Sequence, residues 1–267
     1  MDKESSAIGE EGRMSVIIQS VDRALEIMIY LHHEGRETSI TKIAADLGVY
    51  KSTVYRTLVT LENRGFVCKN PETEKYWLGN RLFVLGKGVE NRMGLPEIIR
   101  PYAKKLYDAY GEAVNVSILE RNPNDVYRSV IILKEESDRQ VFAVNPPVGS
   151  SSECYCSSVG KCLLAFGPDI DLSIYESHPM RSHTEHTITT LPALRSELAK
   201  VRERGYAMDH EELEYGLTCI GAPILDRSGT VVAAISLSGP TSRMLSGDIE
   251  ERVEAVKRIA REISSNF

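Results

Sequence analysis

The sequence predicts an α+β chain of two domains, and three observations carry that expectation. Three helix-period runs followed by two short β-prone runs occupy the first 80 residues. A further helical stripe ends at a glycine, Gly94. Beyond it, clusters of β-prone residues are flanked by helical runs. The length of 267 residues suits two domains, and 42% hydrophobic with 26% charged residues is an ordinary globular composition.

The opening segment carries Asp2, Glu4, Glu10 and Glu11 without an apolar core, which predicts a disordered arm over residues 1–14 rather than a signal peptide. Ser20 is expected to cap a first helix whose stripe is Val21, Leu25, Met28, Ile29 and Leu31, ended by Gly35. Ser39 or Thr41 can cap a second helix with Ile40, Ile43, Ala44 and Leu47. Gly48 then breaks the chain. A third helix is expected from Lys51 to Asn63, with Val54, Leu58 and Leu61 inward and Gly65 as its stop. Phe66–Cys68 and Tyr76–Leu78 around Asn70-Pro71-Glu72-Thr73 read as a hairpin. A linker helix follows from Arg81, with Leu82, Leu85 and Val89 as its stripe, and Pro96 and Pro101 mark another helix ending near Tyr110-Gly111.

In the second domain, strands are expected at Val114–Leu119, Val126–Leu133, Val141–Val144, Cys219–Ile224 and Val231–Leu237. Helices are expected at Ser158–Phe166, Leu194–Gly205 and Gly247–Ser264. The resulting division is 1–14 arm, 15–80 first domain, 81–94 linker helix and 95–267 second domain.

The second and third helices meet the demands of a helix-turn-helix. A small residue (Ala44) lets the helices cross closely, a glycine (Gly48) makes the turn, and an aliphatic (Val54) faces inward. With Val54, Leu58 and Leu61 buried, the outer face presents Lys51, Ser52, Thr53, Tyr55, Arg56 and Thr60. These are donors and cations suited to base edges and phosphates. The hairpin bears Lys69 and Lys75, placed as a phosphate-contacting wing would place them. Charge agrees: residues 13–92 hold 12 Lys+Arg against 9 Asp+Glu, although the chain as a whole is at −6. The partner expected from this constellation is double-stranded operator DNA.

Five cysteines (Cys68, Cys154, Cys156, Cys162, Cys219), an odd count without regular spacing, point to reduced thiols and a cytoplasmic location. Cys154-x-Cys156 is tighter than the usual zinc spacing; with His178, His183 and His186 nearby in sequence a metal site is conceivable, but buried thiols and surface histidines are the better reading. No metal and no cofactor are expected. No run approaches the ~20 apolar residues of a membrane span.

Several blocks together resemble the IclR family of bacterial regulators, across Ile18 to Ile263. They are Gln19-Ser20-Val21-Asp22-Arg23-Ala24-Leu25, Ser52-Thr53-Val54-Tyr55-Arg56, Tyr76-Trp77-Leu78-Gly79 and Gly160-Lys161-Cys162-Leu163-Leu164-Ala165. Further on come Gly205-Tyr206-Ala207, Glu211-Glu212 with Gly216, Ala222-Pro223-Ile224 and Ser236-Leu237-Ser238-Gly239-Pro240. The resemblance implies a winged helix joined by a linker helix to a GAF-like effector domain. It implies dimers, often dimers of dimers, on palindromic operators. It also implies effectors that are small carboxylates, sugar acids or aromatic acids.

Carried over from the resemblance, the effector site falls on Ser158, Val159, Gly160, Asp209, Cys219, Ser236 and Ser238. Physical reasoning agrees. A helix starting near Ser158 offers unpaired amides to a carboxylate. Ser236 and Ser238, two apart on a strand, face one side together with the small Ala234. Where the family usually has His and small residues, this chain has Tyr155-Cys156-Ser157, and Ser158 replaces the usual Ala or Gly. The extra hydroxyls suggest a polar ligand, and Lys161 reads either as an aid to an anion or as a solvated lysine. Two other functions are weighed. One is a thiol enzyme using Cys219 with His210 or Cys156 with His178. The other is a DNA-binding protein whose second domain only assembles it.

Overall fold

The computed structural model describes residues 17–122, 125–136 and 146–267, so the expected arm over 1–14 and the expected strand Val141–Val144 lie outside the described residues. The chain divides into two compact units, Met1–Met93 and Gly94–Phe267.

The first unit opens with α1 (Gln19–Glu34), α2 (Ile40–Asp46) and α3 (Lys51–Asn63). Ser39 caps α2, its side chain accepting from the Lys42 amide. Gly48 adopts φ +63°, the left-handed conformation the turn between α2 and α3 requires. Val54, Leu58 and Leu61 are all buried, as the sequence predicts, against Ile27, Leu31, Ile43 and Ala44. Strands β1 (Val67–Lys69) and β2 (Tyr76–Leu78) pair antiparallel as the wing, and α4 (Arg81–Met93) completes the unit.

Two expectations for α1 are corrected. Ser20 lies inside the helix, which starts after Ile18 without a side-chain cap. Its core contacts come from Ile27 and Leu31, whereas Val21, Leu25 and Ile29 are exposed. A 3.6-residue period leaves both faces of α1 apolar enough to be core, and only packing selects between them.

The second unit begins with α5 (Leu95–Tyr110). Pro96 sits in the first turn, where its missing N–H costs nothing. Six strands form one antiparallel sheet in the order β5-β4-β3-β8-β7-β6. They are β3 (Ala113–Glu120), β4 (Arg128–Glu135), β5 (Ser151–Glu153), β6 (Ala207–His210), β7 (Leu217–Leu225) and β8 (Val231–Pro240). Between β5 and β6 lie a 3₁₀ turn (Cys154–Cys156), α6 (Ser158–Phe166), α7 (Ile174–Ser177) and α8 (Leu191–Arg204). α9 (Thr241–Met244) and α10 (Ile249–Ser264) close the chain.

Residues alternate across this sheet. Val114 and Val116 of β3, Ile220, Ala222 and Ile224 of β7, and Ala233, Ile235 and Leu237 of β8 enter a dry core with α5 and α10. The opposite face meets α6 and α8 through Cys162, Leu163, Leu194, Leu198 and Val201. Sequence periodicity misses β5, β6 and the short helices, because three or four residues show too little pattern. The second strand starts at Arg128 rather than Val126, α8 begins at Leu191 ahead of Pro192, and α10 begins after Asp248, whose side chain accepts from the Glu250 amide.

Candidate operator surface and ligand cavity

On α3 the outward face is as anticipated. Lys51, Ser52, Thr53, Tyr55 and Arg56 are exposed, while Val54 among them and Leu58 one turn on are wholly buried. Thr57 and Thr60 turn their hydroxyls back onto the carbonyls of Thr53 and Arg56, so they are less available to a partner. Tyr50, just before the helix, is 85% exposed and belongs to the same surface; sequence reasoning missed it because it reads as a turn residue. The wing departs from expectation. Lys69 pairs with Glu74 at 2.7 Å, and Glu37 accepts from Asn70 and Thr73, which makes the wing tip locally acidic. The pair forms because Glu74, at φ +57°, folds back across the turn. Lys75 stays exposed. Exposed pairs of this kind are weak and screened by salt.

In the second unit a cavity of about 630 Å³ opens beside the N-terminus of α6. Of the residues the sequence assigned to a ligand, Ser158, Val159, Asp209, Cys219, Ser236 and Ser238 line it. Gly160 does not. A Cβ at Gly160 would lie 2.4 Å from the Cys154 backbone, so its function is close approach. Its amide is taken by the Ser157 hydroxyl at 3.1 Å. Gly221 of β7 similarly lets the sheet reach Ser158, where a Cβ would meet backbone at 2.8 Å. The amides of Ser158 and Val159 are left without an acceptor among the described residues. They sit at the positive end of a helix whose residues Ser158–Ala165 are all buried.

The cavity wall also holds residues sequence reasoning missed. Asn115 and Ser117 of β3 pair in register with Ser236 and Ala234 of β8, which puts their side chains on the cavity face. Asn115 Nδ2 donates to Ser238 Oγ at 3.4 Å, and the Ser236 and Ser238 hydroxyls lie 3.2 Å apart. Asn115 Oδ1 and Ser117 Oγ are buried without a hydrogen-bond partner among the described residues. A buried unpartnered polar atom costs roughly 1–3 kcal/mol. Ser129 and Ser152 add a further hydroxyl pair at 3.2 Å. A usable signal existed: two polar residues spaced by two in an otherwise apolar strand.

Charge in this region is internally neutralised. Lys161 is 1% exposed, so it is neither solvated nor a free anion ligand. Its ammonium pairs with Glu212 and donates to the Met208 carbonyl. At the rim Arg243 holds Glu112 with two bonds of 2.5 and 2.8 Å. Burial, reinforced by the Glu212 carboxylate, pushes Asp209 up to about 7 despite the Glu212 amide it accepts from and the Lys161 charge. Near neutral pH that carboxyl can therefore donate or accept.

The thiol-enzyme reading fares poorly against this geometry. Burial drives the Cys156 and Cys219 thiols well above their ordinary range, and the nearby Asp209 carboxylate adds to the effect in both. Among the described residues neither is hydrogen-bonded to its suggested histidine: His178 bonds Ser177 and Ile174, and His210 bonds Thr218. No helix of the described residues is long and apolar enough to cross a membrane.

Comparison with known proteins agrees with this architecture. The IclR helix-turn-helix domain matches residues 20–71, and the C-terminal domain of the bacterial transcriptional regulator IclR matches 88–265. The transcriptional regulator BhcR of Paracoccus denitrificans is 35% identical over 92% of this chain and 86% of its own. The DNA-binding transcriptional repressor YiaJ of Escherichia coli is 31% identical over 100% of this chain and 94% of its own. The crystal structure of the Thermotoga maritima IclR superposes with a TM-score of 0.70 at 30% identity, covering 94% of this chain and 99% of that one. With a helix-turn-helix unit, a second unit of helices on a six-stranded antiparallel sheet and relatives of this similarity across its length, the chain belongs to the IclR family of DNA-binding bacterial transcriptional regulators.

Proposed function

We propose that this chain is a repressor whose grip on operator DNA is controlled by a small organic acid bound in the cavity of the second unit. The observation that carries the ligand half is that Asn115 and Ser117, which hold two of the four buried, unpartnered side-chain atoms among the described residues, line a cavity of about 630 Å³. A cavity kept only for assembly has no reason to retain them. Lys161 and Arg243 are already paired, so a ligand carboxylate would be met by the amides of Ser158 and Val159. The ligand's own hydroxyls would face Asn115, Ser117, Ser236 and Ser238, with Asp209 and Cys219 on the wall. A hydroxy acid or sugar acid suits that lining best.

On the DNA side, Lys51, Ser52, Thr53, Tyr55 and Arg56 would enter the major groove, with Lys75 and Lys69 on phosphate. Repression is supported by relatives that carry that name, such as YiaJ. Self-association is part of the proposal. Val21, Leu25 and Ile29 on α1 and Phe83, Val84, Leu85 and Val89 on α4 are exposed apolar side chains in the DNA-binding unit, and paired half-sites need paired readers. The division of labour follows the expected boundaries, 15–80 reading DNA, 81–94 linking and 95–267 sensing.

Thermal-shift screening with hydroxy, sugar and aromatic acids tests the ligand class. A ligand that binds only the folded state raises the melting temperature. The reading expects stabilisation by at least one such acid and none by the matching neutral alcohol or amide. Equal stabilisation by the neutral analogues would remove the carboxylate from the reading.

A further inference from the structure

Outside the ligand cavity, the strongest cluster of chemically capable side chains lies where β5 turns into α6. Glu153 ends β5, Cys156 closes the 3₁₀ turn three residues later, and His183 arrives from the loop that follows α7. One carboxylate oxygen, the thiol sulfur and one imidazole nitrogen lie within 4.8 Å of one another. His183 Nε2 is 3.4 Å from Glu153 Oε2.

We propose that Glu153, Cys156 and His183 bind a divalent cation of the zinc type. Metal–ligand bonds of about 2.0–2.3 Å in a tetrahedral site set donor atoms roughly 3.3–3.8 Å apart. The three atoms therefore need to close by only about 1 Å. Sulfur, imidazole and carboxylate together favour zinc, cobalt or copper over magnesium or calcium, which prefer all-oxygen sites.

Supporting contacts hold two of the ligands. The Tyr155 hydroxyl lies 2.8 Å from Glu153 Oε2 and 2.8 Å from the Arg181 carbonyl, and its single proton can go to either acceptor. The His183 ring stacks on Tyr155 at 26°, and its amide donates to Thr187 Oγ1 at 3.0 Å. Glu153 and His183 are partly exposed, which leaves a route for the ion, while Cys156 is buried. Of the residues the sequence grouped as a conceivable metal set, Cys154, His178 and His186 do not take part; Glu153, unmarked in the sequence, does.

Binding exchanges the Cys156 thiol proton for the metal, and that proton passes to solvent. The imidazole coordinates in its neutral form and the carboxylate ionised. Three protein ligands leave a fourth position for water. The site borders the cavity wall through Ser152, Ser157 and Ser158, so an ion there would fix the turn that presents the α6 amides.

The test is a cobalt titration of the full-length, reduced, chelator-stripped protein in a non-coordinating buffer. The expected result is one cobalt per chain, a thiolate-to-cobalt charge-transfer band in the near ultraviolet, visible d–d bands, displacement by zinc and release of a proton. C156S loses the charge-transfer band. H183A and E153Q weaken binding at least tenfold with unchanged far-ultraviolet circular dichroism, and they decide the matter should C156S fail to fold. Cobalt bound without a thiolate band, equal affinity in H183A and E153Q, or no binding at tens of micromolar metal overturns the proposal.

Discussion

The two faces of the six-stranded sheet are made by the same strands and have opposite chemistry. Toward α5 and α10, β8 sends Ile235 and Leu237, each fully buried in apolar contacts. Toward the cavity it sends Ser236 and Ser238, and β3 sends Asn115 and Ser117 with buried atoms unpartnered. Nothing in strand geometry demands this difference, since residues alternate freely across a pleat. A fold under stability pressure alone would fill both faces. Polarity retained on one buried face therefore marks the place where something other than the chain completes the contacts.

Substitutions one residue apart should break this symmetry in opposite ways. The largest effect is expected on the dry face. Leu237→Ala removes a fully buried side chain and should lower unfolding free energy by about 2–5 kcal/mol. Chemical denaturation measures it, and a loss under about 1 kcal/mol would mean that this face is not the core.

The second prediction sets the exposed surface of α3 against the sheet. Arg56→Ala leaves nothing buried behind, so stability should hold while operator affinity falls by about 1–3 kcal/mol. Anisotropy on specific and random duplexes separates two roles. A phosphate contact weakens both alike, and a base contact weakens only the operator. Unchanged affinity for both takes Arg56 out of the interface.

A third prediction uses pH to probe the wet face. Burial, with help from Glu212, holds Asp209 near 7 against an ordinary value of 3.8. The folded state thus keeps a proton that the unfolded state has already released between about pH 4 and 7. Stability from this group falls as pH rises through that window and is flat above it. Asp209→Asn should flatten the decline, measured as unfolding free energy at pH 5 and pH 7. An identical decline in the variant would place the titration elsewhere, with Glu212, itself pushed up by burial, as the remaining group.

The smallest effect is expected at Ser238→Ala. It removes a hydroxyl at the cavity wall and the acceptor of a long, 3.4 Å bond from Asn115 Nδ2, so stability should change by about 1 kcal/mol, well under the change at its neighbour Leu237. A loss matching Leu237→Ala would erase the distinction between the faces.

The same contrast explains what could be read from the chain alone. The ends of α3, Lys51 and Asn63, and its buried stripe were legible because helical period and the turn glycine are local signals. Ser236 and Ser238 were legible as a strand pair, and the family resemblance marked Asp209 and Cys219 for the same cavity. The Lys161–Glu212 pair was not, because it joins residues 51 apart and only the fold brings them together. Lys69 read as free until the wing turned Glu74 onto it. Gly160 was assigned to the ligand although its place against Cys154 depends on tertiary approach. On α1 the sequence offered two apolar faces, and only the packing of Ile27 and Leu31 decided which was core.

The central claim is that a small acid in the cavity sets operator affinity, and operator anisotropy with and without the stabilising acid tests it most directly. In the wild type the acid should shift operator affinity, because it can move the equilibrium only by binding two protein states unequally. In Ser236→Leu the leucine fills the cavity and removes a hydroxyl. Calorimetry should show acid affinity reduced at least about tenfold. Operator affinity without acid should stay near wild type, and the acid response should vanish. A Ser236→Leu protein that binds the acid as tightly as wild type, or still responds to it on operator DNA, would contradict the account.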